Sequence, residues 1–237
     1  MPKQPPLDKF EQDVLDESVP IQQLLRLVIV LGGRAFSEPL RSWARNELQG
    51  YPSPDAPLPT YRTISAPLQA DSHSRFWQGR NETISALDLP DIAHDLISEQ
   101  LPVTFSVGKI QNLIAGQDPH TPLKLGLPGG AELARLMTSE RSGHGVVVER
   151  IYWSVHASAL HDILEQVRNR LLEFVAELRA TMEPGEQEPT VGQVHQAVQT
   201  INITVGDYSP VHVIAPHRHS APVSFPTRSR HRWWPQR

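Results

Sequence analysis

The chain reads as an α+β domain, predominantly helical, with a few short strands and an extended C-terminal tail. Three observations predict this class. From Ser158 to Met182, Leu160, Ile163, Leu164, Val167, Leu171, Phe174, Val175 and Leu178 fall at spacings of three and four, one continuous helical stripe. Ile21 to Ala35 is apolar on nearly every side, the pattern of a helix buried at the centre of a core. Val146 to His156, by contrast, is rich in β-branched and aromatic residues and predicts a strand.

The remaining elements follow in order. Asp8 to Asp16 is a short acidic stretch that reads as a helix with Phe10, Val14 and Leu15 on its apolar side. Ser37 precedes a second helical pattern in which Pro39 suits the first turn. Leu40, Trp43, Ala44 and Leu48 share one face of it, and Gly50 marks its end. Between Tyr51 and Pro90, prolines at 52, 54, 57, 59 and 67 forbid a helix, and Tyr61 to Ser65 reads as a short strand. Asp91 to Gln100 predicts a helix with Ile92, Leu96 and Ile97 on one side. Val103 to Ser106 reads as extended, with Ser106 capping a helix over Gly108 to Ala115. Gly126 to Gly130 is a turn leading into a short helix through Leu133, Leu136 and Met137.

Charge and composition narrow the function classes. Across 237 residues, 22 Lys and Arg stand against 26 Asp and Glu, a net charge of −4. That balance argues against a wholly basic nucleic-acid coat and an acidic disordered chain. With no Cys, disulfide scaffolds, Cys-zinc sites and thiol nucleophiles fall away. The longest greasy run, Leu24 to Leu31, is broken by Arg26 and is far short of the roughly 20 residues of a spanning helix. The expectation is a cytoplasmic protein without a membrane span.

Candidate chemistry is thin. Residues 216–237 hold five Arg and no acid, and Arg228, Arg230, Arg232, Trp233 and Trp234 offer phosphate neutralisation and ring stacking for nucleic acid or a partner. The plainer reading of that segment is a disordered tail. His212, His217 and His219 lack a carboxylate at matching spacing, so no metal site is predicted and no cofactor is implied. Pro128-Gly129-Gly130 lacks the Lys-Ser/Thr ending of a P-loop, and a helix-entry turn explains it. Ser142, His144 and Glu149 are near in sequence, which is not catalytic geometry.

One constellation is more specific. Leu24-Leu25-Arg26 and its apolar run lead into Leu40-Arg41-x-Trp43-x-x-x-Glu47-Leu48-x-Gly50-Tyr51, then Leu58-Pro59-x-Tyr61-Arg62. This resembles the amino-terminal signature of the AbiTii family of bacterial abortive-infection proteins. Ile163-Leu164-x-Gln166-Val167-Arg168-x-x-Leu171-Leu172-x-Phe174 is similar to the family's closing helix, so the resemblance spans about residues 10–182. It implies a role in phage resistance and carries over no reaction. The signature has a structural account, with Trp43 and Leu48 facing the core and Glu47 pairing with either Arg62 or Arg41. The other reading is a surface of Arg41, Glu47, Tyr61 and Arg62 that recognises a ligand or partner, and the structural account is the plainer of the two.

The expected organisation is a disordered start at 1–6, an AbiTii-like domain at 7–182, a linker at 183–215 and the basic, Trp-containing tail at 216–237. The linker's Ile201-Asn-Ile-Thr-Val alternates as a strand does, and the β-segment at 201–214 is a candidate for self-association. The expected function is phage defence by binding, as sensor, adaptor or toxin-like component. Its partners would be a second copy, a defence-system protein, or nucleic acid held by the tail. The alternative is a nuclease, for which Glu47, Asp91, Asp95 and Glu149 are scattered candidate carboxylates.

Overall fold

A computed structural model describes residues 6–52, 57–118, 120–141, 143, 145–183, 186 and 188–201. The fold is α+β and mainly helical. The order is α1 (Pro6–Leu15), α2 (Ile21–Arg34), α3 (Glu38–Gln49), β1 (Thr63–Ser65), β2 (Leu68–His73), β3 (Gln78–Ile84), β4 (Gln100–Pro102), α4 (Val107–Ala115), β5 (Leu123–Gly126), α5 (Gly130–Glu140), β6 (Val147–Val155), α6 (Ala157–Thr181) and α7 (Val191–Thr200). The strands form a four-stranded antiparallel sheet, β3-β2-β6-β5, and a separate pair, β1-β4.

Helix α6 is the central element. All eight residues of its predicted stripe are buried, each contributing about 1.5–3 kcal/mol relative to an exposed side chain. Helices α1, α2, α4 and α7 pack against it, and one apolar cluster runs from them through the inner face of the sheet. Along β6, Ile151, Trp153 and Val155 share a face with Ala70, Leu68 and Leu123 of the neighbouring strands, and Arg150, Tyr152 and Ser154 lie on the other face, where Tyr152 and Ser154 are nevertheless buried.

Several elements differ from the sequence reading, each for a physical reason. Leu15, expected on the apolar side of α1, is exposed, and Leu7 takes a core place beside Phe10 and Val14. Helix α2 is buried on one face only: Ile21, Leu24, Leu25 and Val28 are enclosed, whereas Leu27 and Val30 are exposed. These two line an apolar cavity of about 330 Å³ with Leu7, Phe10, Pro189 and Val194. Ser37 holds the N-cap position of α3 without a side-chain bond to the helix, while Ser106 does accept from the Lys109 N–H at the start of α4. Tyr61 lies in a 3-10 turn, Thr60–Arg62, before the strand begins at Thr63. In place of a helix over Asp91 to Gln100 there is one 3-10 turn, Asp91–Ala93. Ala93 and Ile97 are buried there, with Ile92 and Leu96 exposed. The extended pairing falls on Gln100–Pro102 rather than Val103 to Ser106.

Beyond residue 182, where a linker was expected, α7 packs its Val194, Ala197 and Val198 into the common core. A capping box of Thr190 and Gln193 starts it. The rest of the expected self-association segment and the basic tail with Arg228, Arg230, Arg232, Trp233 and Trp234 lie outside the described residues. No helix among the described residues is long and apolar enough to cross a membrane.

Candidate functional site

Two polar networks stand out, one closed and one open. The closed network gathers three of the four signature residues. Glu47 on α3 and Arg62 in the turn before β1 are both fully buried and form a two-point ion pair, with Arg62 Nη2 on Glu47 Oε2 and Nε 3.3 Å from Oε1. The Tyr51 and Tyr61 hydroxyls each donate to Glu47 Oε1 at 2.8 Å. Trp43 Nε1 donates to the Tyr61 oxygen at 2.9 Å, and Arg62 Nη1 donates to the Phe105 carbonyl at 2.6 Å. Burial, and behind it the Glu47 charge, push both phenols well above their ordinary range, so they remain donors.

The network fixes where the chain goes after α3. Gly50 ends the helix at φ 98°, a left-handed conformation that favours glycine. The Tyr51 N–H then bonds to the Thr104 carbonyl at 2.8 Å. Arg41 takes no part in it. Of the two pairings open to Glu47, the structure has the one with Arg62, while Arg41 bonds Glu38 one turn back at 3.0 Å.

The open network lies on the outer face of the four-stranded sheet and is organised by Asp71, which sequence reasoning missed. Asp71 is fully buried and sits between two irregularities. On β3, Arg80 and Asn81 intervene where Ala70 pairs with Glu82 and Ser72 with Gly79. On β6, Glu149 is passed over between the Asp71–Arg150 and Ser72–Val148 pairs. Such bulges re-aim side chains. Asn81, at φ 56°, turns its N–H onto Asp71 Oδ1 at 2.9 Å.

Three cations from three strands meet this carboxylate. Arg150 Nε lies 2.6 Å from Oδ2, Lys124 Nζ 3.2 Å and Arg80 Nη1 3.5 Å. The Tyr152 hydroxyl donates to Oδ1 at 2.8 Å. Burial alone would raise the Asp71 carboxyl, but the bonds from Asn81, Tyr152, Arg150 and Lys124 outweigh it and hold it well below the usual carboxylate range. Asp71 is therefore a fixed anion at neutral pH. The cations stay partly in solvent, Arg150 being 58% exposed in its side chain, and its terminal amino groups make no hydrogen bond among the described residues. Beside them His73 Nδ1 and Arg80 Nη1 contact the two oxygens of Glu149 at 2.9 and 2.7 Å.

The other candidates do not converge. Glu47 belongs to the closed network, and the Asp91 side chain is fully solvent-exposed. Glu149 is on the sheet face, whereas Ser142 and His144 lie outside the described residues. Among the described residues, no group of three His, Asp or Glu side chains is placed to hold a metal ion. His212, His217 and His219 are also outside them.

Fold and site together define a mainly helical α+β domain with one sheet face on which three partly exposed cations surround a buried carboxylate. The AbiTii family model matches residues 7–203, and the chain belongs to that family. The family's name ties the protein to abortive infection, a form of phage defence. No curated protein and no solved structure matches the chain.

Proposed function

We propose that this AbiTii chain acts in phage defence by binding, and that the outer sheet face around Asp71 is its binding surface. The observation that carries this reading is the ring of Arg80, Lys124 and Arg150 around one buried carboxylate. A buried anion at the centre fixes the cations in place before any ligand arrives, which lowers the cost of ordering them on binding. Asp71 itself carries no proton to give, and both of its oxygens are engaged, so it orients its neighbours rather than reacts. The signature residues Glu47, Tyr61 and Arg62 are turned inward and serve the fold.

The nuclease alternative draws on one observation. The imidazole of His73 is oriented by Glu149 on this same face, as a general base is by its carboxylate. Incubation with RNA and DNA, with and without Mg²⁺, separates the two. Binding without turnover is the expected result, and cleavage abolished by His73→Ala would replace the binding reading. The role in defence is tested by survival of phage-infected cells expressing the wild type or Lys124→Ala/Arg150→Ala. The double variant, accumulating normally, is expected to lose protection, and undiminished protection would overturn the assignment of this face.

A further inference from the structure

The hairpin between β2 and β3 carries a feature that the Asp71 network does not use. At its tip Arg75, Phe76 and Trp77 are all exposed, Phe76 at 88% and Trp77 at 45%. The tip has a defined conformation, since the Ser74 N–H bonds to the Trp77 carbonyl at 2.8 Å and the Phe76 N–H to Ser74 Oγ at 3.2 Å. Arg75 lies over the Phe76 ring, 5.6 Å from its centroid. Large aromatics held in water by a short ordered turn are not explained by packing.

The tip is continuous with the cationic face. His73 ends β2 and contacts Glu149, which Arg80 of β3 also holds, and Arg80 reaches on to Asp71 beside Arg150 and Lys124. Four cations, Arg75, Arg80, Arg150 and Lys124, thus run from the tip across the sheet. Asp71 is enclosed, and Glu149 is already held by His73 and Arg80. Glu82 pairs across the ladder with Ala70, whose side chain is in the core, and so belongs to the opposite face.

We infer that this surface binds single-stranded nucleic acid, with Phe76 and Trp77 as stacking platforms for bases and Arg75, Arg80, Lys124 and Arg150 on the phosphates. The inference rests on the reading of the sheet face as the binding surface and names its ligand. One ligand must offer flat apolar rings and closely spaced negative charges along a single path, and unpaired nucleotides do both. A duplex keeps its base faces stacked inside, so the aromatic tip has nothing to receive there. A lipid surface would take the rings of the tip and offer its charges in one plane at the interface, whereas a strand can follow the cations from the tip across the sheet.

The test is fluorescence anisotropy of the full chain with labelled oligouridylate and oligodeoxythymidylate of about 12 nucleotides, a length within the usual range of single-strand sites. Raising salt from about 50 to about 200 mM is expected to weaken binding about twenty- to fiftyfold, the dependence for three or four phosphate contacts on a single strand. Phe76→Ala/Trp77→Ala is expected to weaken it about thirtyfold or more with the salt dependence unchanged. Arg75→Ala is expected to make the salt dependence shallower by about one contact. Leu15→Ala, an exposed apolar residue on α1, is the control and should bind as wild type.

Absence of binding to either oligonucleotide would overturn the inference. So would wild-type affinity in a folded Phe76→Ala/Trp77→Ala variant, or capture by phosphatidylserine vesicles in its place. If the oligonucleotides do not bind while Lys124→Ala/Arg150→Ala still abolishes protection, the ligand class falls and the sheet-face reading stands. If that variant protects fully, both fall.

Discussion

Asp71 and Arg150 face each other across β2 and β6, with the guanidinium Nε–H donating to the carboxylate at 2.6 Å. The pair lies where both neighbours of β2 lose regular register, so the bulges and the charge cluster are one feature. The bulge on β3 supplies Arg80 and the Asn81 N–H to Asp71, and the irregularity on β6 leaves Glu149 free to engage His73 and Arg80. Without Asp71, three cations would face one another across adjacent strands with little to hold them.

Acid should weaken the fold through Asp71. Its folded carboxyl titrates below the ordinary range, so its stabilisation is complete above the unfolded value of about 3.9 and declines as pH falls toward the depressed folded value. Urea midpoints at about pH 7 and about pH 3 measure this. Asp71→Asn is expected to cost about 2 kcal/mol at neutral pH, the loss of charge-assisted bonds, and to lessen the acid sensitivity. An unchanged acid response would contradict the assignment.

Removing one partner of the Glu47–Arg62 pair should be far worse than removing both. Arg62→Ala leaves a buried carboxylate without its countercharge and is expected to cost about 3–5 kcal/mol. Glu47→Leu combined with Arg62→Met should cost less than that single change, although the freed Tyr51 and Tyr61 hydroxyls offset part of the relief. Chemical denaturation of the two variants decides it.

Gly50→Ala should destabilise by about 1–2 kcal/mol. The backbone there has φ 98°, and a methyl group would lie 3.0 Å from the Thr104 carbonyl oxygen. Gly33→Ala, where a methyl meets nothing within 4 Å, is the control and is expected to be neutral or mildly stabilising because it lies within α2. Thermal melts compare them.

What the sequence revealed and what it hid follow from where each residue's partners lie. Helix α6 was legible because its stripe is local in sequence and every stripe residue is buried. The strand at Val147–Val155 was legible from β-branched and aromatic composition. Strands β2 and β3 were not, because Leu68–His73 and Gln78–Ile84 are short and polar, and pairing rather than propensity makes them strands. Asp71 carries no motif of its own, since its partners Asn81, Lys124, Arg150 and Tyr152 are 10 to 81 residues away. The available signal was the alternation of Arg150 and Tyr152 with Ile151 and Trp153, which marks a charged outer face on a strand buried on its other side. The Glu47–Tyr61–Arg62 grouping was legible from the signature, yet its burial was not, because an ion pair reads the same in sequence whether it is closed or open.

The most direct test of this division of labour compares Tyr61→Phe with Arg150→Ala in phage-infected cells, with protection normalised to the amount of folded protein. Tyr61→Phe removes the bond to Glu47 and the acceptor of Trp43 Nε1 and is expected to lower stability by about 1–3 kcal/mol while each folded molecule protects as wild type. Arg150→Ala loses the 2.6 Å bond to Asp71 and is expected to cost a similar amount, about 1–2 kcal/mol, but to lose protection per folded molecule. The opposite result, with protection lost per folded molecule in Tyr61→Phe and kept in Arg150→Ala, would move the functional site to the signature residues and contradict the account.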